Sequence, residues 1–273
     1  MKKIIYDFGA GDGNNIPYYL LKCDLVIAVD ANYLNCNIMK KKFFKEISEG
    51  KLIVENCIIS NHNKENEEFF IHKKNNLLGQ FPKPSDNLIE NFYATRLKSL
   101  DVLSIFEKYG NPYYVKIDLE EYDNKILKRI FDNNINPIYI SAEATNDEVI
   151  TLFVNNQNYN SYKLIEGSTV GLLYRKINIY SQDQKIKFKF YENSAGPFGN
   201  DLLGNWIKKE NFIQLMKYKK SGWRDIHASR IDNFEENING DKYIEIEKNL
   251  IKKAKFIKRF LRLKAKLNLF KNG

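Results

Sequence analysis

The sequence predicts an α/β protein, a mostly parallel sheet with helices on both faces, followed by a smaller C-terminal module. Three observations predict it. Short apolar runs alternate with helix-compatible segments from the start of the chain to about residue 175. A glycine-rich bend follows the first of those runs directly. After Arg175 the rhythm changes to an alternating segment, Ile186–Tyr191, and then to a stretch that holds both tryptophans, Trp206 and Trp223.

Taken in order, the expected strands are Lys3–Phe8, Leu25–Asp30, Leu52–Cys57, Tyr113–Asp118 and Ile138–Ala142. A last pair, around Ser161–Ile165 and Val170–Arg175, is separated by Glu166-Gly167-Ser168, a turn signal that predicts an antiparallel hairpin. Helices are expected over Asn14–Lys22 and Leu100–Tyr109, the second ended by Gly110-Asn111-Pro112. Between the third and fourth strands, His62–Arg96 is polar, contains Pro82 and Pro84, and is expected to form a flexible cover.

Composition narrows the function classes. With 43% hydrophobic and 14% aromatic residues, a 273-residue chain can bury a large core, which excludes disordered and collagen-like classes. No apolar run approaches the roughly 18 residues of a membrane span, and Met1-Lys2-Lys3 runs straight into Ile4 without a signal-peptide core, so a cytoplasmic protein is expected. Cys23, Cys36 and Cys57 form no CxxC pair and suggest neither a disulfide framework nor a zinc knuckle. The net charge of +9 is local: from Lys248 onward there are ten Lys/Arg and no acid, so the rest of the chain is near −1. A nucleic-acid partner is therefore not expected.

The most informative segment is Asp7-Phe8-Gly9-Ala10-Gly11-Asp12-Gly13, placed between a strand and a helix. Glycines there let the backbone turn sharply and approach a ligand where side chains would collide. The spacing is GxGxG after an acid, whereas a dinucleotide fingerprint is GxGxxG, whose glycines bring backbone donors to a pyrophosphate. S-adenosyl-L-methionine has no phosphate, and its ammonium would be attracted by a carboxylate such as Asp7, directly or through water. Asp30 ends the second apolar run, where a parallel strand delivers a carboxylate to ribose hydroxyls. NAD-binding chains share that last feature. The glycines would equally serve as turn formers and Asp30 as a cap.

Four blocks together resemble the FkbM family of S-adenosylmethionine-dependent methyltransferases, over roughly residues 4–175. They are Tyr6-Asp7-Phe8-Gly9-Ala10-Gly11-Asp12-Gly13, Val29-Asp30-Ala31-Asn32, Val115-Lys116-Ile117-Asp118-Leu119-Glu120 and Tyr139-Ile140-Ser141-Ala142-Glu143. The family usually continues with a glycine after the glutamate of the third block, where this chain has Glu121-Tyr122-Asp123. The resemblance implies a Rossmann-like class I methyltransferase fold, seven-stranded with an antiparallel last strand, and an O-methyltransferase of sugars, polyketides or surface glycans. It implies a cofactor site of Asp7, Gly9, Ala10, Gly11, Asp12, Asn14, Asp30, Ala31, Asn32 and Asp118, with Asn56 to Ser60 beside the adenine. The corresponding organisation is a methyltransferase domain over 1–178, an accessory module over 179–240 and a basic helix over 241–273. Asn111-Pro112-Tyr113-Tyr114 resembles the NPPY signature of nucleic-acid amino-methyltransferases, but it precedes the fourth strand instead of following it.

Asp118 and Glu120 flank the end of the fourth expected strand and Glu143 lies just beyond the end of the fifth, so three carboxylates should meet where ligands bind. Their mutual repulsion would raise a pKa and make one of them a general base for a sugar hydroxyl. Asp118 or Glu120 would also serve as a helix cap, and Glu143 as a partner of Lys116. In Gly222-Trp223-Arg224-Asp225-Ile226-His227, an indole, a guanidinium, a carboxylate and an imidazole suit a hydroxyl-rich ligand, with His227 as a second candidate base. Ser194–Gly199 is either a substrate loop or a bend. No spaced ligand set points to a metal.

From Leu250 to Phe270 the tail is uninterrupted by Pro or Gly. Lys255, Lys258, Arg259, Arg262 and Lys266 fall on one side, and Leu250, Ala254, Ile257 and Leu261 on another. Such a helix either lies on an anionic inner-membrane surface, where surface glycans are assembled, or packs on the domain. Expected partners are thus a sugar, nucleotide-sugar or glycan acceptor of capsule or lipooligosaccharide synthesis. An RNA or protein methyltransferase and a non-catalytic binding module of the same fold are the competing readings.

Overall fold

In chain order, strand β1 (Ile4–Phe8) leads through a one-turn helix α1 (Ile16–Tyr19) to β2 (Leu25–Asp30), and α2 (Tyr33–Lys42) with α3 (Phe44–Ser48) returns the chain to β3 (Leu52–Asn56). Four strands then form a sheet of their own: β4 (Ile58–Ser60), β5 (Lys64–His72), β6 (Gly79–Gln80) and β7 (Phe92–Asp101). The main sheet resumes through α4 (Val102–Tyr109), β8 (Tyr114–Ile117), α5 (Asp123–Asp132), β9 (Tyr139–Glu143), α6 (Asp147–Asn155) and β10 (Ser161–Glu166). After α7 (Gly167–Leu173) come the antiparallel pair β11 (Ile177–Ser181) and β12 (Gln184–Phe188), then β13 (Ile207–Lys208), α8 (Lys209–Tyr218), β14 (Arg224–Ser229) and α9 (Gly240–Lys271). This computed structural model describes residues 2–271 apart from 145, 182–183, 192–193, 219–222, 233, 235–237 and 239, with backbone alone for 218, 240 and 264–271.

The main sheet has the order β13-β10-β14-β9-β8-β1-β2-β3. From β9 to β3 neighbouring strands are parallel; β14, β10 and β13 each run antiparallel to their neighbours. Strands covered on both faces must be apolar at every position, and β1 is buried throughout, as is β2 up to Val29. Helices lie against the sheet by their apolar stripes: α5 buries Ile126, Leu127 and Ile130. Caps fix their starts. Asn32 accepts from the Leu34 N–H at 3.0 Å to begin α2, and Asp101 accepts from the Leu103 N–H at 3.0 Å to begin α4.

The predicted α/β class with a mostly parallel sheet and helices is what the chain adopts, with eight strands in place of seven. The expected hairpin is not formed. Val170–Arg175 is not a strand; its first residues belong to α7, because the slot beside β10 is filled by β14. There Asp225 pairs with Ile165 on one side and Glu143 on the other, while Ile226 and Ala228 enter the core. The main sheet thus draws two strands, β13 and β14, from the 179–240 stretch. The His62–Arg96 cover is also more ordered than its composition predicts. Its Phe69, Phe70 and Ile71 are buried, and β5 pairs with β7 along most of its length.

Helix α9 packs on α7 and α8. The Tyr243 hydroxyl donates to the Leu164 carbonyl at 3.0 Å and accepts from its N–H at 2.8 Å, and Ala254 is buried. The expected apolar face of Leu250, Ala254, Ile257 and Leu261 is therefore turned toward the domain. On the far side, Phe256, Phe260 and Leu263, at i, i+4 and i+7, are 70%, 59% and 52% exposed. No helix of the described residues is long and apolar enough to cross a membrane.

Candidate active site

The bend after β1 is held open by three left-handed glycines, Gly9, Gly11 and Gly13, with φ of 77°, 56° and 79°. Its first amides are tied to β2, because the Gly9 and Ala10 N–H groups both donate to the Val29 carbonyl at 3.0 Å. A Cβ on Gly9 would stand 1.8 Å from the Asp118 carbonyl oxygen, so only glycine lets β1 and the end of β8 meet this closely. Asp30 closes the bend from the other side. One of its oxygens accepts from the Gly11 N–H at 2.8 Å, the other from the Asn32 N–H at 2.8 Å and from the Asn35 amide at 3.3 Å. Burial pushes its pKa up to about 7 against those hydrogen bonds.

These groups form one wall of a cavity bounded by Gly9, Gly11, Asp30, Ala31 and Asn32. Cys57, Ile58 and Ile59 make an apolar side, and Phe69, Leu77 and Phe81 of the cover close it. Asp118, Leu119, Glu120 and Tyr122 stand at its end. The cover is clipped to α2 through Asn76. Its carbonyl accepts from the Asn32 amide at 2.9 Å and the Asn35 amide at 3.1 Å, and its own amide donates to Asn35 Oδ1 at 2.7 Å.

Of the cofactor positions expected from sequence, Gly9, Gly11, Asp30, Ala31, Asn32 and Asp118 line this cavity, whereas Asp7, Ala10, Asp12, Asn14, Asn56 and Ser60 do not. Asn56 holds the loop after β2, donating to the Asp30 and Ala31 carbonyls at 2.9 and 3.1 Å. Ser60 is fully buried and donates to the His62 carbonyl at 2.5 Å. Asn14 accepts from Lys42 at 3.3 Å on the far side of the bend.

Asp7 is fully buried beneath the bend, and neither of its oxygens has a hydrogen-bond partner among the described residues. Its nearest cation is Lys116, whose Nζ lies 3.6 Å from Asp7 Oδ1 and 2.9 Å from Asp118 Oδ2. The first contact is an ion pair longer than a hydrogen bond, the second a charge-assisted hydrogen bond. Burial raises the Asp7 pKa to about 6 while Lys116 pulls it down. Burial works against the Lys116 charge, but Asp118, Asp7 and Asp225 outweigh it and hold the ammonium above its ordinary range. The alternative reading that pairs Glu143 with Lys116 is not met: Lys116 joins Asp7 and Asp118 instead.

Asp118 also lines a second, wider cavity, together with Glu143, Asp225, Trp223, Ser194 and Ala195 and, from α9, Lys258, Leu261 and Arg262. Glu143 and Asp225 face each other in register across β9 and β14. Burial first, then Asp118, Asp225 and Glu120, push the Glu143 carboxyl up to about 8. Burial and Asp118 raise Asp225 to about 7 against Lys116, and burial with Asp118 and Glu121 raises Glu120 to about 7. Glu120 holds a left-handed backbone (φ 55°) at the step where the family pattern departs from this chain, and the backbone continues as a 3₁₀ turn over Glu120–Tyr122. Trp223 is 65% exposed, its indole against Gly167. Arg224 is bound to Glu166 at 3.0 Å, and Gly222 lies outside the described residues.

His227 is not brought to this mouth. It lies on the same side of β14 as Asp225 but two residues deeper, beside Ser141 and Lys163, and lines neither cavity. Burial and Lys163 drive its pKa down to about 3, so it stays neutral, and among the described residues its Nε2 has no partner. Sequence reading missed Asn35, three residues after Asn32 on one helix face, and gave no separate role to Asp225, two residues before His227 on one strand face. The contributions of Asn76, Phe81 and Tyr122 depend on the cover's fold and carry no local signal.

No family model matches the chain, and no curated protein matches it in sequence. Eleven chains of solved structures match it, among them two of low identity. One is TrmK of M. capricolum in complex with its natural cofactor product S-adenosyl-homocysteine, 15% identical, with a TM-score of 0.34 over 94% of this chain and 91% of that one. The other is the StiE O-MT, 9% identical, with a TM-score of 0.37 over 92% of this chain and 74% of that one.

Proposed function

We propose that this chain is an S-adenosylmethionine-dependent O-methyltransferase of the FkbM type, acting on a sugar hydroxyl in bacterial capsule or lipooligosaccharide synthesis. The observation that carries the reading is that Asp118 belongs to two cavities at once. One has the form of a donor site and the other of a hydroxyl site, and they meet at a carboxylate.

The first cavity fits the cofactor on three counts. Gly9 and Gly11 offer bare backbone, Asp30 a carboxylate placed for a ribose diol, and Cys57, Ile58, Ile59, Phe69 and Phe81 an apolar slot for adenine. No phosphate cradle is needed, in keeping with the GxGxG spacing. Asp118 and Glu120, open to the cavity, take the role toward the ammonium that was expected of Asp7; Asp7 instead anchors Lys116 and through it Asp118. When bound, S-adenosylmethionine supplies a methyl group on a sulfonium, open to in-line displacement by an oxygen.

The residues of the second cavity hold the acceptor and take its proton. Glu143 is the preferred base, because a carboxyl raised to about 8 matches a hydroxyl proton at neutral pH better than an ordinary carboxylate. Its proton transfer is worth about 10²–10⁴-fold, and alignment of oxygen and methyl about 7–11 kcal/mol in favourable cases. The reading is tested by incubating the protein with labelled S-adenosylmethionine and the host's nucleotide sugars and glycans, then locating new methyl groups by mass spectrometry and NMR. Label confined to RNA would overturn it.

The exposed face of α9 supports a peripheral location at the inner membrane. The exposed Phe256, Phe260 and Leu263 are flanked by Lys252, Lys253, Lys255 and Arg259, and this combination suits the headgroup region of an anionic membrane.

A further inference from the structure

We infer that the second cavity takes a phosphorylated sugar, either a sugar phosphate or a nucleotide diphosphate sugar, with its anionic group on α9 and its hydroxyl toward Asp118 and Glu143. This rests on the proposed methyl transfer and names the acceptor class. The second cavity has walls of opposite charge. The sheet side carries Asp118, Glu143 and Asp225; the α9 side carries Lys258 and Arg262. The two cations are four residues apart, so they lie on one helix face a turn apart. Among the described residues neither has a carboxylate within ion-pair distance, so both are available to a ligand.

A neutral glycan would leave that pair of cations to solvent and use neither charge. A phosphate placed beside the three acids would be repelled, which fixes the orientation: anion on α9, hydroxyl at the sheet. Trp223, exposed at the rim with its indole resting on Gly167, adds a flat apolar surface for the sugar ring or a nucleobase.

The test uses the full chain and calorimetry with glucose 1-phosphate, UDP-glucose, UDP and unmodified glucose as probes, at low and high salt. Binding of a phosphorylated probe, at least tenfold tighter than glucose and weakened by salt, is expected. In the Lys258→Gln/Arg262→Gln double variant it should weaken about tenfold or more, as for the loss of charge-assisted hydrogen bonds. Affinity for S-adenosylhomocysteine should stay unchanged in that variant, which also reports an intact fold. UDP-glucose exceeding UDP and glucose 1-phosphate would assign the nucleotide-linked form, and glucose 1-phosphate exceeding both would assign the simple phosphate. Glucose binding as tightly as the phosphorylated probes, no binding of any phosphorylated probe, or wild-type affinity in the double variant would overturn the inference. So would a double variant that loses only binding to phosphatidylglycerol vesicles. Failure of the wild-type protein to bind S-adenosylhomocysteine would strike the methyltransferase reading separately and leave the phosphate measurement standing.

Discussion

The carbonyl oxygen of Asp118 occupies the space where a Gly9 side chain would begin, 1.8 Å from the position of its Cβ. Gly9→Ala therefore cannot be absorbed by a rotamer change. It must push β1 from β8 at the junction of the two cavities, and should cost well beyond the roughly 1–2 kcal/mol of a left-handed L-residue. Gly50 is the control: it has a similar φ of 68° and nothing within 4 Å of a Cβ, so Gly50→Ala should cost only that backbone penalty. Thermal unfolding of the two variants checks the contrast, and equal losses would show that the Gly9 contact is unimportant.

Asp30→Ala removes the acceptor of two backbone amides and one side-chain amide at the mouth of the first cavity. Affinity for S-adenosylhomocysteine should fall at least about tenfold, the loss of a charge-assisted hydrogen bond. Unchanged affinity by calorimetry would remove Asp30 from the donor site.

The rate of methyl transfer should rise with pH through about 8, since Glu143 accepts a proton only when ionised. Glu143→Gln should lower kcat by about 10²–10⁴-fold and abolish that limb of the profile, with S-adenosylhomocysteine binding retained. A variant that keeps the wild-type profile would pass the role to Asp225 or Asp118.

Carboxyls raised by burial shape the stability profile, Glu120 and Glu143 as well as three aspartates. Burial raises Asp7, Asp30 and Asp225 from 3.8 to about 6, 7 and 7. Groups raised in the folded state bind more protons there than when unfolded, so their contribution is complete below about pH 4 and lost as pH climbs through 6–7. The Tm of the ligand-free protein should accordingly fall between about pH 5 and pH 8, and Asp225→Asn should flatten the fall. An unaltered slope in that variant would mean that Asp225 is ionised in both states.

Phe256→Ser/Phe260→Ser should weaken sedimentation with phosphatidylglycerol vesicles without lowering Tm, because both rings are exposed. Equal sedimentation of this variant and the wild type would exclude the helix face as the lipid contact.

What the sequence disclosed depended on how locally each feature is encoded. The bend from Asp7 to Gly13 and the carboxylate of Asp30 lie within a strand, a turn and a strand, and their apolar runs, glycines and acid are all adjacent in the chain. Strand β14 could not be found that way. Its partners Glu143 and Ile165 are about 60–80 residues earlier, and Trp223 to His227 has the polarity of a surface segment because its acid belongs to a cavity wall. Val170–Arg175 has a strand's apolarity, yet with the slot beside β10 taken it winds into α7. The surroundings of Asp7 were hidden for a related reason. Only the register of β1 with β8 reveals that Lys116 stands beside it and that its charge is spent inward.

Since Asp118 lines both cavities, the proposed donor and acceptor would be separated there by a single side chain. Change at that residue disturbs donor and acceptor together, so selection has little freedom to alter either alone from the sheet side. Helix α9 has no such bond to the donor end. Exchange of its inward residues would reshape the second cavity and leave the lining of the first untouched.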